Sequence, residues 1–270
     1  MKKEQKKEDE IESSNAPLIE HLTELRSRLI FSILAFLICM VCVFPFSKYI
    51  FNFLAMPITE LLAVQNEASD LIFTGLQQGF MVNVKISFFG GFIVSLPFIG
   101  FQIWRFIAPG LYKKEKLAFL PFLIASPLLF IIGAAFAYFV VLPLAFNFFL
   151  SFQNTSDLNN LVGIKYLGTI NEYLSLTMRF ILAFGICFQL PVLLTLMGKA
   201  GLVSSVSLIR IRKYAIVSIL IIAAIVTPPD VITQIILCSV VYSLYEISIL
   251  LVKLVEKKKE EALQQMDENI

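Results

Sequence analysis

Few residues in this chain could do chemistry, and two carboxylates beside apolar sequence stand out among them. Glu24 lies in a helical pattern and Glu115 in a run of lysines, each next to a long apolar stretch. Such a carboxylate can accept two parallel hydrogen bonds from a guanidinium, which would favour arginine over lysine in a visiting chain. On spacing alone we favour a solvated or locally paired side chain for both, the local partners being Arg28 for Glu24 and Lys113 or Lys116 for Glu115.

The chain has almost none of the histidine side chains that often bind metals or take part in nucleophilic catalysis. His21 is the only histidine, which argues against histidine metal sites and Ser-His-Asp catalysis. Cys39 and Cys42 have the spacing of a redox motif, but their apolar neighbours (FLICMVCVF) supply no further ligands. We interpret both cysteines as buried small hydrophobic side chains, and we predict no metal, no cofactor and no enzymatic activity.

Six apolar stretches divide the chain and indicate a membrane protein. Hydrophobic residues make up 58% of it, and the mean hydropathy is +0.82. Most of the stretches are long enough to cross a hydrocarbon core of about 30 Å as a helix. They are residues 29–46, 86–103, 117–149, 180–198, 214–227 and 231–252. The predicted fold class is an all-α polytopic membrane protein with six transmembrane helices.

Lysine and arginine are concentrated on one side of these stretches. Of the 22 Lys and Arg, all except Lys48, Lys85, Lys165 and Arg179 lie in residues 1–28, 104–116, 199–213 and 253–270. This bias predicts that both termini are cytoplasmic and that the number of crossings is even. No basic surface with interleaved aromatic residues is present, so nucleic-acid binding is not expected. We predict a disordered charged segment (1–15), a membrane domain (16–252) and a charged cytoplasmic tail (253–270).

Local patterns indicate how the chain enters and bends within the membrane. Residues 16–29 have the leucine spacing of an amphipathic helix that leads into the first span, and Pro57 is predicted to start a short helix. Prolines predict kinks in the third stretch (Pro121, Pro127, Pro143) and the fourth (Pro191). Residues 214–227 form only about 21 Å of helix and would thin the bilayer, with a re-entrant hairpin as the alternative.

One polar side chain lies close to the predicted middle of the membrane. Gln189 precedes Pro191, so its amide could bond a freed backbone carbonyl or a neighbouring helix, and a functional role remains equally open. A secondary transporter of a small solute would place Gln189, Arg179 and Glu246 along a water-lined site. The spans carry no series of Asp, Glu and His for a proton relay, which argues against that alternative.

Five segments together resemble one known family. They are HLTELRSRL (21–29), FIAPGLYKKEK (106–116), AFAYFVVLPLAF (135–146), LAFGICFQLPV (182–192) and TPPDVITQ (227–234). In order and spacing they are similar to the TatC family, the multi-span subunit of the twin-arginine protein translocase. The resemblance covers residues 16 to 252 and implies a glove-like, kinked six-helix bundle.

The resemblance also implies a function and a set of site residues. The family binds twin-arginine signal peptides and exports folded proteins across the bacterial inner membrane, using the proton-motive force and no cofactor. Glu24 and Glu115 match the glutamates that engage the two arginines, and Arg26 and Phe106 match the same recognition surface.

Other matching positions concern transport and assembly with the single-span partners TatA and TatB and with further copies of the chain. Pro57 matches a proline of the first outside loop, and Asp230 and Gln234 match polar positions at the start of the sixth span. Gln189 stands where the family usually has a glutamate. We expect that polarity at this position matters more than charge.

Overall fold

The protein is almost entirely helical wherever the structure describes it. In this computed structural model those residues are 2–64, 71–107, 113–153, 168–227 and 230–267, and nothing is described of the side chains of residues 2–21 and 113–121. The α-helices of these ranges are α1 (Lys2–Val43), α2 (Ser47–Val64), α3 (Gln78–Ile107), α4 (Lys113–Phe136), α5 (Leu142–Leu150), α6 (Ile170–Cys187), α7 (Leu190–Lys199), α8 (Ser205–Val226) and α9 (Val231–Asp267). A 3₁₀ turn (Phe44–Phe46) joins α1 to α2, and a π-helical segment (Ala137–Val141) joins α4 to α5. The predicted all-α fold class is confirmed.

Several of these helices are long and apolar enough to cross a membrane. The described chain contains five such segments: Leu22–Ala63, Gln78–Ile103, Phe122–Leu150, Ile170–Lys199 and Val231–Glu261. Helix α8 is a further apolar helix, but Arg210, Arg212 and Lys213 occupy its first half, so its uncharged part is short. The helices therefore accommodate the six predicted spans, the fifth of them shorter than the others.

Successive spans run in opposite directions, which gives the bundle two distinct ends. Arg28 in α1 reaches Gln102 near the end of α3, and Ser205 at the start of α8 reaches Glu256 in the last third of α9. We name this the basic end; it comprises α1 around Glu24 and Arg28, the last turns of α3, the start of α4, the α7–α8 connection and the C-terminal part of α9. At the opposite end α2 packs beside the segments that precede α3 and α6, whose backbones are hydrogen-bonded to each other.

The main core lies between the opposite end and the middle of the bundle. Leu54 and Ile58 of α2 pack with Tyr138 of the π-helical segment and with Phe180 and Phe184 of α6. By contrast, the most apolar stretch of the first segment contains no buried residue. Helix α1 packs against α3 on one side and presents its other apolar side chains outward, as a helix surrounded by lipid can.

Glycines let the helices approach closely. A Cβ built on Gly91 of α3 would lie 2.6 Å from the Cα of Met40 in α1, so only glycine permits this crossing. A Cβ on Gly185 of α6 would lie 2.6 Å from the Phe130 ring of α4. Small residues at such positions allow van der Waals packing between spans, where the hydrophobic effect supplies no driving force.

Two of the predicted kinks are confirmed. The third span is interrupted by the π-helical segment immediately before Pro143, and the fourth by a two-residue turn that ends at Gln189, before Pro191. Helix α4, however, runs through Pro121 and Pro127 without a break.

One helix start differs from the sequence-based expectation. Helix α2 begins at Ser47, ten residues before Pro57, which lies inside the helix and does not start it. The backbone of α1 is helical from Lys2. The division into a disordered segment (1–15), a membrane domain (16–252) and a cytoplasmic tail (253–270) stays a prediction.

Candidate functional site

Glu24 belongs to a small hydrogen-bonded group of polar side chains at the basic end. The Arg28 guanidinium donates through Nη2 to Glu24 Oε1 at 3.0 Å and through Nη1 to Gln102 Oε1 at 3.3 Å. The side chains of Arg28 and Glu24 are 19% and 30% exposed. The local Glu24–Arg28 pair expected from spacing is therefore confirmed, and Gln102 extends it from α1 to α3.

The antiparallel packing of α1 on α3 brings Phe106 to the same place. Arg28 meets Gln102, and Glu24 lies one turn before Arg28, so Glu24 lies beside the turn that contains Phe106. Phe106 is half-buried. A carboxylate and an aromatic residue thus lie on facing turns of α1 and α3 at the basic end.

Two further predicted recognition residues belong to this end. Arg26 is exposed and makes no hydrogen bond or ion pair with any residue that the structure describes. Glu115 lies in the first turn of α4 by its backbone, but its side chain falls outside the described residues.

Gln189 is fully engaged with a neighbouring span. Its amide nitrogen donates to the backbone oxygen of Ser126 at 2.7 Å, and its Oε1 accepts from the Ser126 hydroxyl at 2.8 Å. This reciprocal pair joins the turn between α6 and α7 to α4. This contact is the structural role that the sequence suggested, and the functional role stays a prediction. A carboxylate at this position could not donate to the Ser126 carbonyl unless it were protonated.

Pro57 creates an acceptor that a tyrosine uses. Because proline has no N–H, the carbonyl of Phe53, four residues earlier, loses its intrahelical donor. The Tyr138 hydroxyl donates to this Phe53 oxygen at 2.6 Å, and its ring stacks on the Phe53 ring with centroids 4.5 Å apart. Tyr173 donates to the next carbonyl, that of Leu54, at 2.5 Å. Pro57 therefore fixes where α2 docks at the opposite end.

Asp230 and Gln234 lie at the start of α9, also at the opposite end. The Asp230 carboxylate accepts from the Thr233 backbone N–H at 2.7 Å and from its hydroxyl at 2.6 Å, which is an N-cap of α9. Gln234 lines an open groove of about 520 Å³ between α8 and α9, together with Ile216, Leu220 and Tyr242. The groove is apolar apart from a few polar groups.

Two polar contacts between α8 and α9 were not predicted. Arg212 donates to Glu246 at 2.7 Å, and the Tyr242 hydroxyl donates to the other Glu246 oxygen at 2.8 Å. Glu256 accepts from the backbone N–H and the hydroxyl of Ser205, at 2.9 and 2.5 Å. Glu246 is thus committed to a structural pair, which does not favour the solute-transporter alternative.

Within the described residues, no group of three or more His, Cys, Asp and Glu could hold a metal ion. Cys39 is half-buried and Cys42 is exposed on α1, and neither is in a disulfide. The prediction that both thiols are buried was therefore wrong: an apolar span next to lipid leaves many of its side chains uncovered by protein.

The predicted site residues fall into three places. Glu24, Arg26, Phe106 and the backbone of Glu115 share the basic end; Pro57, Asp230 and Gln234 lie at or near the opposite end; and Gln189 lies between them. Sequence reasoning missed the roles of Gln102, Ser126, Tyr138, Tyr173 and Glu256. The sequence does contain one sign of these roles: each residue is a polar group inside or next to an apolar run, where it needs a hydrogen-bond partner.

Comparison with known proteins identifies the family. The sequence model of "Sec-independent protein translocase protein (TatC)" matches residues 20–239. The proteins of that name from Magnetococcus marinus and Aquifex aeolicus are 46% and 44% identical to the chain; both alignments cover 91% of it, with 87% and 98% of the relatives. A crystal structure of the twin-arginine translocase receptor TatC superposes with a TM-score of 0.74 at 44% identity, covering 87% of this chain and 99% of that one. The chain therefore belongs to the TatC family of multi-pass membrane proteins, components of the Sec-independent protein translocase.

Proposed function

We propose that this protein is the signal-peptide-recognising core subunit of its translocase, and that the basic end receives the two arginines of a twin-arginine signal. The observation that carries the proposal is the pairing of Glu24 with a guanidinium, that of Arg28. A site that already holds one arginine side chain has the charge and shape to hold another.

The chemistry of this end suits a segment with two arginines followed by an apolar run. Glu24 supplies a partly desolvated carboxylate, and Glu115 would supply a second from the first turn of α4. Phe106 and the outward-facing leucines of α1, Leu25 and Leu29, offer apolar surface to the hydrophobic part of the signal.

The proposed topology follows from charge. The concentration of lysines and arginines at the basic end supports a topology with that end, and both termini, in the cytoplasm of a bacterial cell and the chain in the inner membrane. Signals would then arrive where precursor proteins are made. The proton-motive force would drive export of the folded protein.

The opposite end and the α8–α9 groove are the proposed assembly surface. The groove beside Gln234 is open, apolar and about 520 Å³ in volume, which fits part of a single hydrophobic helix of a TatA- or TatB-type subunit. Asp230 would act there by fixing the start of α9. Self-association in the translocase belongs to the same proposal.

Binding of synthetic signal peptides to the purified protein in lipid nanodiscs tests the recognition site. An Arg-Arg peptide should bind more tightly than its Lys-Lys counterpart. Glu24→Gln and Glu115→Gln should each reduce that preference by about 1–3 kcal/mol, the range for hydrogen bonds to charged groups. Glu60→Gln is the matched control, because Glu60 is an exposed carboxylate on α2 at the opposite end.

Equal affinity for both peptides in a folded sample would contradict the proposed function. An unchanged preference in the Glu24→Gln/Glu115→Gln double variant would remove both residues from the site.

A further inference from the structure

Arg28 occupies the carboxylate that the proposed function assigns to the signal. It contacts Glu24 through a single nitrogen–oxygen pair at 3.0 Å, and no described residue donates to the other Glu24 oxygen. The Nε of Arg28 is buried and has no hydrogen-bond partner. The resting pair is therefore a one-point contact, weaker than the two-point fork that arginine and carboxylate can form.

Arg28 also has a second hydrogen-bond acceptor. Its Nη1 already donates to Gln102 Oε1 at 3.3 Å, across the interface between α1 and α3. If Glu24 were taken by another cation, Arg28 would keep this bond and would not be left without a partner.

We propose that Arg28 is a specificity-determining residue: an internal ligand of Glu24 that an incoming arginine must displace, with Gln102 holding it once displaced. This inference rests on the proposed function. A visiting arginine can bind Glu24 through two parallel hydrogen bonds and so exceeds the one-point contact of Arg28. A visiting lysine offers only a point charge, does not displace Arg28, and gains nothing from Glu24.

The effect of Glu24→Gln on the binding of each peptide should therefore depend on whether Arg28 is present. In the natural protein, Glu24→Gln should weaken Arg-Arg peptide binding and leave Lys-Lys peptide binding unchanged. In an Arg28→Gln background the carboxylate is free, so Glu24→Gln should weaken binding of both peptides.

The Arg28→Gln variant by itself should bind the Arg-Arg peptide about two- to fivefold more tightly, the range expected for loss of a competing partly exposed i,i+4 pair. Gln102→Leu should weaken Arg-Arg binding, because a displaced Arg28 would then have no described acceptor, whereas the resting Arg28 would still pair with Glu24, and a desolvated charge without any partner is disproportionately costly. Arg105→Gln is the matched control: Arg105 is an exposed cation at the same end, so this variant reports the general effect of removing one positive charge.

The experiment is peptide titration of these full-length variants in nanodiscs, with helical circular dichroism to verify folding. Tighter binding in Arg28→Gln beyond that in Arg105→Gln supports the proposal. Weaker or unchanged binding overturns it, since Arg28 would then only hold Glu24 in position. If Arg28→Gln does not fold, Gln102→Leu decides by its sign. Loss of Arg-Arg binding in Glu24→Gln without tightening in Arg28→Gln refutes this inference alone, whereas a natural protein with no Arg-Arg preference refutes the proposed function as well.

Discussion

Replacing Tyr138 by Phe should destabilise the protein because the backbone carbonyl of Phe53 loses its hydrogen-bond donor. The Tyr138 hydroxyl is the donor to the Phe53 oxygen, at 2.6 Å, and Pro57 cannot supply a helical N–H to that oxygen. The side chain is only 6% exposed, so water does not replace the hydroxyl easily. Leaving a carbonyl unpaired away from water costs about 1–3 kcal/mol, and the low end of that range applies to this part-buried one.

The neighbouring tyrosine provides the matched comparison. Tyr173 donates to the Leu54 oxygen, but that oxygen also faces the N–H of Ile58 in the next helical turn. Tyr173→Phe removes a hydrogen bond without orphaning its acceptor, so it should cost about 0.5–1.5 kcal/mol. Tyr138→Phe should therefore be the more destabilising of two chemically identical substitutions.

A substitution at Pro57 tests whether the missing helical donor of the Phe53 carbonyl causes this difference. Alanine at position 57 restores the N–H that Phe53 lacks, so Pro57→Ala should reduce the cost of Tyr138→Phe and leave the cost of Tyr173→Phe nearly unchanged. The measurement is reversible unfolding in detergent of the natural protein, the three single variants and the two double variants, analysed as double-mutant cycles, where coupled neighbours show interaction energies of about 0.5–3 kcal/mol. Equal costs for the two tyrosines, or no coupling between Pro57→Ala and Tyr138→Phe, would show that the Phe53 carbonyl does not depend on the Tyr138 hydroxyl.

Two further substitutions and one insertion test other features of the structure. Gln189→Glu should destabilise the protein more than Ser126→Ala at neutral pH, because only the former removes the donor to the Ser126 carbonyl; comparable unfolding midpoints would contradict this. Gly91→Ala should cost about 1–3 kcal/mol and weaken signal-peptide binding, because its Cβ would push Met40 and α1 away from α3, whereas Gly79→Ala should be tolerated because the nearest atom to its Cβ is 3.7 Å away. Lengthening α8 by one turn should impair vesicle export more than peptide binding if its short uncharged part deforms the bilayer; equal loss of both would indicate misfolding.

Much of the fold followed from patterns that act locally along the chain. Apolar length and proline position predicted the spans and the kinks before Pro143 and Pro191, because a membrane leaves helix as the only open option and proline removes a helical hydrogen bond. The Glu24–Arg28 pair followed from i,i+4 spacing. The start of α2 did not, because a proline is usual in the first turn of a helix, whereas Pro57 lies inside α2 and a tyrosine of another span bonds the carbonyl that it leaves without a donor.

The contacts that define the candidate sites could not be predicted, since they join residues far apart in sequence. Arg28 and Gln102 are separated by 74 positions, and Tyr138 and Phe53 by 85. Each polar residue signalled that it needed a partner, but the choice of partner depends on helix register, which one chain's sequence does not encode as a readable pattern.

Photo-crosslinking tests most directly whether the basic end is the signal site. A photoreactive side chain placed next to the arginine pair of a signal peptide would be activated on the natural protein in membrane vesicles, and the attached residues located by peptide mapping. We expect attachment to α1 and α3 around Leu25 and Phe106, and we expect it to be lost when the peptide carries Lys-Lys. Attachment around α2 or the α8–α9 groove in place of the basic end would contradict it.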